Sequence, residues 1–166
     1  MFTVSVAKLK KAPAQKRRCE LTGELRLLPG GAGEAIPVIS PVMLVLTITN
    51  AGDFLWAVGE AKAMVRLSCS RCLREFTLEL TGRIEEKYRL HGETQAGDEV
   101  PVAADELDFT GQVVESLLLA LPMKPLCRED CRGLCPRCGR DRNEGACACS
   151  VEEVDARLAV LQKLLE

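Results

Sequence analysis

Residues 61–90, AKAMVRLSCSRCLREFTLELTGRIEEKYRL, are the organising stretch of this chain. Beyond the CSRC tetrapeptide, Phe76, Leu78 and Leu80 alternate with polar neighbours, the period of a half-buried strand. AKAMVRLS rises to Cys69 on the near side, so two strands flank a cysteine pair at a hairpin tip.

Upstream, VMLVLTIT (Val42–Thr49) is rich in β-branched residues and bounded by Pro41 and the turn signal Asn50-Ala51-Gly52, which predicts another strand. Trp56 is expected in the core. The Gly- and Pro-rich segments 30–41 and 91–101 read as loops, neither long enough to divide the protein. Downstream, Val113, Val114, Leu117, Leu118 and Leu121 recur at helical spacing, with Asp108 or Thr110 able to cap the helix and Pro122 to end it. Its apolar face is expected to cover the sheet. From Ser150, which has capping-box spacing to Glu153, the positions Val151, Val154, Leu158, Leu161 and Leu165 form an amphipathic stripe. That terminal helix lies on the parent domain by default, with pairing to a partner helix as the alternative.

Between these helices the stretch CREDCRGLCPRCGRDRNEGACAC, residues 127–149, holds six of the nine cysteines. Its apolar content is Leu134 with two alanines, worth about 2–3 kcal/mol of burial, whereas ordering the chain costs about 1–2 kcal/mol for each residue. It should not fold unaided. The start of the chain, MFTVSVAKLKK, puts apolar residues ahead of lysines, the reverse of a secretory signal, so reducing surroundings are expected. An organellar transit peptide is the lesser alternative. In a reducing compartment an odd count of nine cysteines favours metal ligation over disulfides, and thiolates favour zinc, Zn2+.

Spacing pairs the ligands only in part. Cys135, Cys138, Cys147 and Cys149 form the first-choice site, with Gly139 relieving the backbone after CPRC. Cys69 and Cys72 with Cys127 and Cys131 form a candidate second site, Cys127 and Cys131 being one turn apart were that stretch helical. Its rivals are that Cys69 and Cys72 are simply buried, or that they join Cys135 and Cys138 instead. Cys19 reads as a packed cysteine.

The net charge of −2 conceals segregation. Lys8, Lys10, Lys11, Lys16, Arg17 and Arg18 form a basic arm without an acid, while residues 85–108 carry a net −6. Nucleic-acid contact should therefore be polarised toward the arm, although solvated surface is the plainer reading of charge runs alone. Residues 124–142 are formally +3, falling to about +1 once four thiolates bind one Zn2+. Arg132, Arg137 and Arg140 could still grip phosphate one at a time, but no aromatic lies in that region to stack on a base.

Catalysis finds little support. His91, the one histidine, sits in an acidic loop and reads as solvated, and GGAG at residues 30–33 is loop composition rather than a phosphate-binding motif. A CxxC redox centre at Cys69/Cys72 or Cys135/Cys138 competes with metal, but the crowding of further cysteines argues for metal.

CSRCLREF, DELDFTGQVVESLLLALPMKPLC and the cysteine tail, in that order, resemble the YceD-type family of large ribosomal RNA accumulation proteins over residues 59–149. The resemblance implies small bacterial and plastid proteins, often encoded beside a large-subunit ribosomal protein and implicated in large-subunit rRNA accumulation or processing. Members with only the CxRC hairpin and members with the full tail both occur. This chain is of the zinc-binding tail form, and the shared sheet is then expected to carry the function.

The expectation is an α+β fold: an antiparallel sheet, barrel-like or half-open, with a covering helix (1–122), a cysteine-rich zinc module (123–149) and an amphipathic C-terminal helix (150–166). It is that of a soluble, cytoplasmic, non-enzymatic ribosome-biogenesis factor. Its partners would be large-subunit rRNA or the precursor large subunit, with a ribosomal protein or nuclease as a further partner and no membrane. The alternatives are an interaction adaptor working through the terminal helix and, behind it, a thiol oxidoreductase.

Overall fold

The structure, a computed structural model, describes residues 1–30, 35–90, 99–101 and 105–149. The terminal helix expected over 150–166, the glycines of 31–33, and His91 with its loop to residue 98 lie outside the described residues.

Two long strands, β6 (Phe54–Ser68) and β7 (Glu75–Arg89), pair antiparallel from Phe54↔Arg89 to Ser68↔Glu75. The hairpin read from residues 61–90 is thus the spine of the fold, with CSRC at its tip. On the other side of β6 lies β5 (Val42–Asn50), and beyond it the edge strand β2 (Lys16–Gly23). A short strand, β8 (Glu99–Pro101), joins β7 in parallel, so the five-stranded sheet β2-β5-β6-β7-β8 is open and mostly antiparallel. It is not a closed barrel. The lone parallel pair has no counterpart in the expected all-antiparallel sheet, because three residues carry no local pairing signal.

Two small ribbons flank this sheet. β1 (Thr3–Ser5) pairs with β9 (Glu106–Asp108), and β3 (Leu27–Pro29) with β4 (Ala35–Pro37). The segment expected as loop at 30–41 therefore contains a strand, tied to the main sheet by the bridge Val38↔Val65. The basic arm also proves to be folded. Lys8 and Lys10 lie on a short helix, α1 (Ala7–Lys10), and Lys16–Arg18 open strand β2, whose Cys19 and Leu21 pack against the core. Charged side chains on an edge strand discourage pairing with other chains, and in sequence they mimic a solvated arm.

One face of the sheet is covered. Val42, Leu44, Leu46 and Ile48 of β5, Leu55 and Val65 of β6, and Leu80 and Ile84 of β7 are buried there. Helix α2 (Thr110–Leu119) packs mainly on β7 and β6 through Val113, Ser116 and Leu117. It comes in close because the strands present small residues: a Cβ on Gly82 would lie 2.5 Å from the Ser116 carbonyl carbon, and Ala57, Ala61 and Ala63 are buried beside it. Truncating one of the buried leucines would cost about 2–5 kcal/mol. The N-cap of α2 is Phe109, but the Asp108 carboxylate accepts the Thr110 N–H and hydroxyl, so the expected capping residue is displaced by one position. The Phe109 ring meets Tyr88 edge-on at 5.5 Å, closing the core where α2 begins.

The other face is open, and there Trp56 departs from expectation. It is 40% exposed, with exposed Val58 two residues along the same face. Its strand neighbours Leu55 and Ala57 point into the core instead. Both faces of residues 54–58 are apolar, so alternation could not say which was inward.

Candidate metal centres

At the hairpin tip the chain reverses through Cys69–Leu73, where the Leu73 N–H donates to the Cys69 carbonyl at 2.9 Å and Leu73 takes a left-handed φ of 61°. This presents the Cys69 and Cys72 sulfurs on one side. The tail returns to them: Ser70 N–H donates to the Pro125 carbonyl and Leu134 N–H to the Arg71 carbonyl, at 2.9 and 3.1 Å. The Arg71 guanidinium donates back to the Cys131 carbonyl at 2.7 Å. Gly133 makes this fit possible, because its φ is +71° and a Cβ there would lie 2.9 Å from the Arg71 carbonyl oxygen.

The result is a group of four thiols, Cys69, Cys72, Cys127 and Cys131, whose sulfurs all lie within 4.8 Å of one another. Cys69 Sγ is 3.8 Å from Cys131 Sγ and Cys72 Sγ is 3.7 Å from Cys127 Sγ. The edge of a tetrahedron with metal–sulfur bonds of 2.3 Å is about 3.8 Å. The donor set therefore has the size of a four-thiolate ion site. Phe76, Leu126 and Leu134 pack around it as a small core separate from that of the sheet. The segment from Cys127 to Cys131 is a turn, not a helix, so its cysteines converge by chain reversal rather than by helical periodicity.

In a second group, Cys135, Cys138, Cys147 and Cys149, the sulfurs likewise all lie within 4.8 Å of one another. Here the first two ligands sit on a tight turn closed by Gly139 N–H to the Cys135 carbonyl at 2.9 Å, with Gly139 at φ +71°. Cys135 N–H donates to the Arg140 carbonyl and Arg142 N–H to the Gly133 carbonyl, giving a miniature ribbon with the bridge Leu134↔Asp141. In this second group Cys135 is buried, Cys147 and Cys149 are half-buried and Cys138 is exposed. The structure brings together both four-cysteine sets read from spacing and not the interleaved set. Cys19 joins neither; it packs against the sheet core.

Backbone N–H groups and neighbouring sulfurs set the acidity of these thiols. Burial pushes Cys69 up, but the N–H groups of Cys127, Cys72 and Arg71 outweigh it and bring the thiol down to about 6. The Arg74 N–H lowers Cys72, yet burial and the sulfurs of Cys69 and Cys131 carry it upward. Burial first and then the adjoining sulfurs push Cys127 up to about 12. In the second group the N–H groups of Cys138 and Arg137 bring Cys135 down to about 6, while Cys138 and burial push Cys149 up to about 12. Each group thus pairs an acidic thiol with a reluctant one, as crowded sulfurs without a cation must; a bound cation would relieve the repulsion.

The two groups are linked by one side chain. Asn143, in the loop between Cys138 and Cys147, donates to Cys131 Sγ at 3.4 Å and to Asp141 Oδ1, and accepts from Arg132 N–H at 2.8 Å. One amide therefore belongs to the second loop and touches the first group's sulfur. Arg74 clamps the same loop to the hairpin through Asp141 and Glu144, at 3.3 and 2.6 Å. Asn is common in turns, so nothing in sequence marked it as a sulfur donor.

The basic residues do not form a single patch. Lys8, Lys11, Lys16, Arg17 and Arg18 are exposed beside the edge strand, and Lys10 is held by Asp105 at 3.1 Å. Arg17 donates to the Ser5 carbonyl, and Arg18 pairs with Glu20. Arg132, Arg137 and Arg140 are exposed on the tail, at the opposite end of the hairpin.

The hairpin from Ala57 onward, α2 and both thiol groups lie inside the segment, residues 57–165, that matches the family described as Large ribosomal RNA subunit accumulation protein YceD; Phe54 and Trp56 lie outside it. The chain belongs to this family. The uncharacterized protein Rv2926c of Mycobacterium tuberculosis strain H37Rv is 30% identical to this chain over 99 residues, 57% of this chain and 48% of that protein. Mb2951c of Mycobacterium bovis matches to the same extent, and ML1660 of Mycobacterium leprae is 27% identical over 105 residues, 60% of this chain and 48% of its own. The chain spans about half the length of these curated relatives. No solved structure matches it. Membership ties the chain, at family level, to ribosome biogenesis, and among the described residues no helix is long and apolar enough to cross a membrane.

Proposed function

We propose that this protein is a non-enzymatic ribosome-biogenesis factor of the cytoplasm that binds large-subunit rRNA, or the nascent particle carrying it, and so promotes its processing or stability. The family match over residues 57–165 is the observation that supports the reading. In this reading both thiol groups hold Zn2+, with Cys69, Cys72, Cys127 and Cys131 on one ion and Cys135, Cys138, Cys147 and Cys149 on the other. Four thiolates at these separations suit a closed, structural zinc site that keeps no position open for substrate. Gathering eight thiols in this way also favours a structural use of them over redox chemistry.

Each zinc would act on the fold. It neutralises two of four thiolate charges and fixes the tail on the hairpin, so that the tail arginines keep a defined position relative to the sheet. Elemental analysis of protein purified without added metal should give two zinc per chain. Crosslinking in cells followed by sequencing of bound RNA should recover large-subunit rRNA or its precursor. Failure to recover it, together with failure to co-sediment with precursor large subunits, would sink the proposal.

A further inference from the structure

The open face of the sheet carries a second arrangement, remote from the thiols. Its register places one row across four strands: Lys16 of β2 opposite Thr49 of β5, Thr49 opposite Trp56 of β6, and Trp56 opposite Lys87 of β7. With neighbouring strands about 4.8 Å apart, Lys16 lies about 10 Å from Trp56 and Lys87 about 5 Å on its other side, measured along the row. Lys87 is oriented by Phe54, its Nζ standing 5.8 Å from the ring centroid. Two aromatic rings and two ammonium groups therefore share one end of an open sheet. The row ends on β8, where Glu99 is the register partner of Lys87, so the cationic side of Trp56 is the Lys16 side and Lys87 has an acid as its neighbour in the row; the face's other acids fall in other rows. Glu85 stands opposite Val58, Glu60 pairs with Lys62 at 3.8 Å, and Glu20 is taken up by Arg18.

Lys16 is shared with a cleft of about 520 Å³ that wraps the sheet edge and is also lined by Lys8, Gln15 and Arg17, with no carboxylate among its lining residues. Arg17 is pinned to its wall by the 2.6 Å bond to the Ser5 carbonyl. From the cleft to Lys87 the surface thus offers cations, then an aromatic face, then a cation with Glu99 beyond it in the row.

We infer that this row is a single-stranded RNA site, in which an unpaired base stacks on Trp56 while its flanking phosphates lie against Lys16 and Lys87 and the strand continues into the Lys8–Arg17 cleft. The inference rests on the RNA-binding reading proposed above and gives it a location. An exposed indole is costly to leave in water and every base has a π-face to cover it, whereas duplex RNA keeps its bases stacked inside. The spacing allows it as well, since the backbone of the strands carrying Lys16 and Lys87 lies about 5–10 Å from that of Trp56, within the reach of lysine side chains toward phosphates on either side of one nucleotide. Trp56 is thirteen residues along β6 from Cys69, on the order of 40 Å, so the site stands apart from both thiol groups.

Because Trp56 is the sole tryptophan, its fluorescence reports on the site directly. The zinc-loaded full chain would be titrated with a labelled, unstructured 12-nucleotide RNA and with an RNA duplex of equal length. Binding is followed by anisotropy of the label and, separately, by indole emission. Quenching should track the single-strand isotherm. Trp56→Ala should weaken single-strand binding about tenfold, with Trp56→Phe between it and the parent. Lys16→Gln and Lys87→Gln should each lower the slope of log affinity against log salt by about 0.7. Since Trp56 projects from the open face, both tryptophan variants should keep the parent's far-UV spectrum and zinc content. RNA binding with unchanged emission and unchanged affinity in Trp56→Ala overturns the site and leaves the RNA-binding reading standing. No RNA binding at low salt overturns both. Loss of association with a ribosomal protein in Trp56→Ala, RNA affinity being unaltered, makes the face a protein contact and overturns the site.

Discussion

The two thiol groups each gather four cysteine sulfurs within 4.8 Å, yet they are built in opposite ways. In the hairpin group the paired sulfurs come from residues 55 and 62 positions apart and are wrapped by Phe76, Leu126 and Leu134. In the tail group all four donors lie between residues 135 and 149, one of them exposed. Joining distant residues removes more freedom from the unfolded chain, by about 1 kcal/mol for a fourfold longer loop. It also fastens one part of the fold to another. The hairpin group is a stitch between sheet and tail, whereas the tail group organises only its own loop.

The severest way to break this comparison is to remove one ligand from each. Cys131→Ser should lose one zinc, lower Tm by more than about 10 °C and open residues 127–149 to protease. Cys138→Ser should also lose one zinc but leave Tm within about 3 °C of the parent. Equal falls in Tm would show that the two groups are not differently built. A colorimetric chelator should next separate them in time, with a fast phase from the tail group and a slow phase from the hairpin group; a single phase carrying both ions would contradict the difference in burial. Gly133→Ala sharpens the stitch alone. It forces a left-handed φ on a residue with a Cβ and crowds the Arg71 carbonyl, at a cost of about 1–2 kcal/mol. Both ions should remain bound while hydrogen exchange quickens at Leu134 N–H.

The smallest effect belongs to the clamp between hairpin and tail. Arg74→Ala removes exposed ion pairs to Asp141 and Glu144 and should shift Tm only slightly, less at high salt. The sign with pH follows from Asp141. The Asn143 backbone N–H is the largest of the influences holding its carboxyl below the ordinary value of 3.8, with the Asn143 side chain and Arg74 adding to it. A depressed folded pKa contributes stability that is complete above the unfolded value and is lost as pH falls through the folded one. The difference between parent and Arg74→Ala, measured by urea unfolding, should therefore shrink below about pH 4.

Much of this was legible in the sequence, for local reasons. Strict alternation around a CxxC fixed the hairpin, the step of three and four fixed α2, and half-site spacing nominated both thiol groups. What stayed hidden depended on contacts between distant elements. Small residues such as Ala57, Ala61 and Gly82 face the core because α2 approaches so closely, which leaves the larger Trp56 outside. Hydropathy, which ranks the larger side chain as the one to bury, therefore chose the wrong side. Lys16–Arg18 looked like a free arm because an edge strand tolerates charge on its outer positions. Asn143 gave no sign of its sulfur contact, and the parallel pairing of β8 had no local signature.

The separation of the hairpin ligands also has a consequence for biosynthesis. Cys69 and Cys72 leave the translating ribosome more than fifty residues ahead of Cys127 and Cys131. For that interval the tip is an incomplete half-site, two cysteines of the hairpin without their partners. The two tail pairs, by contrast, emerge within a few residues of each other and can close at once. If the group holds zinc as proposed, an oxidant's best opportunity at these two thiols comes during synthesis, before the finished fold buries them.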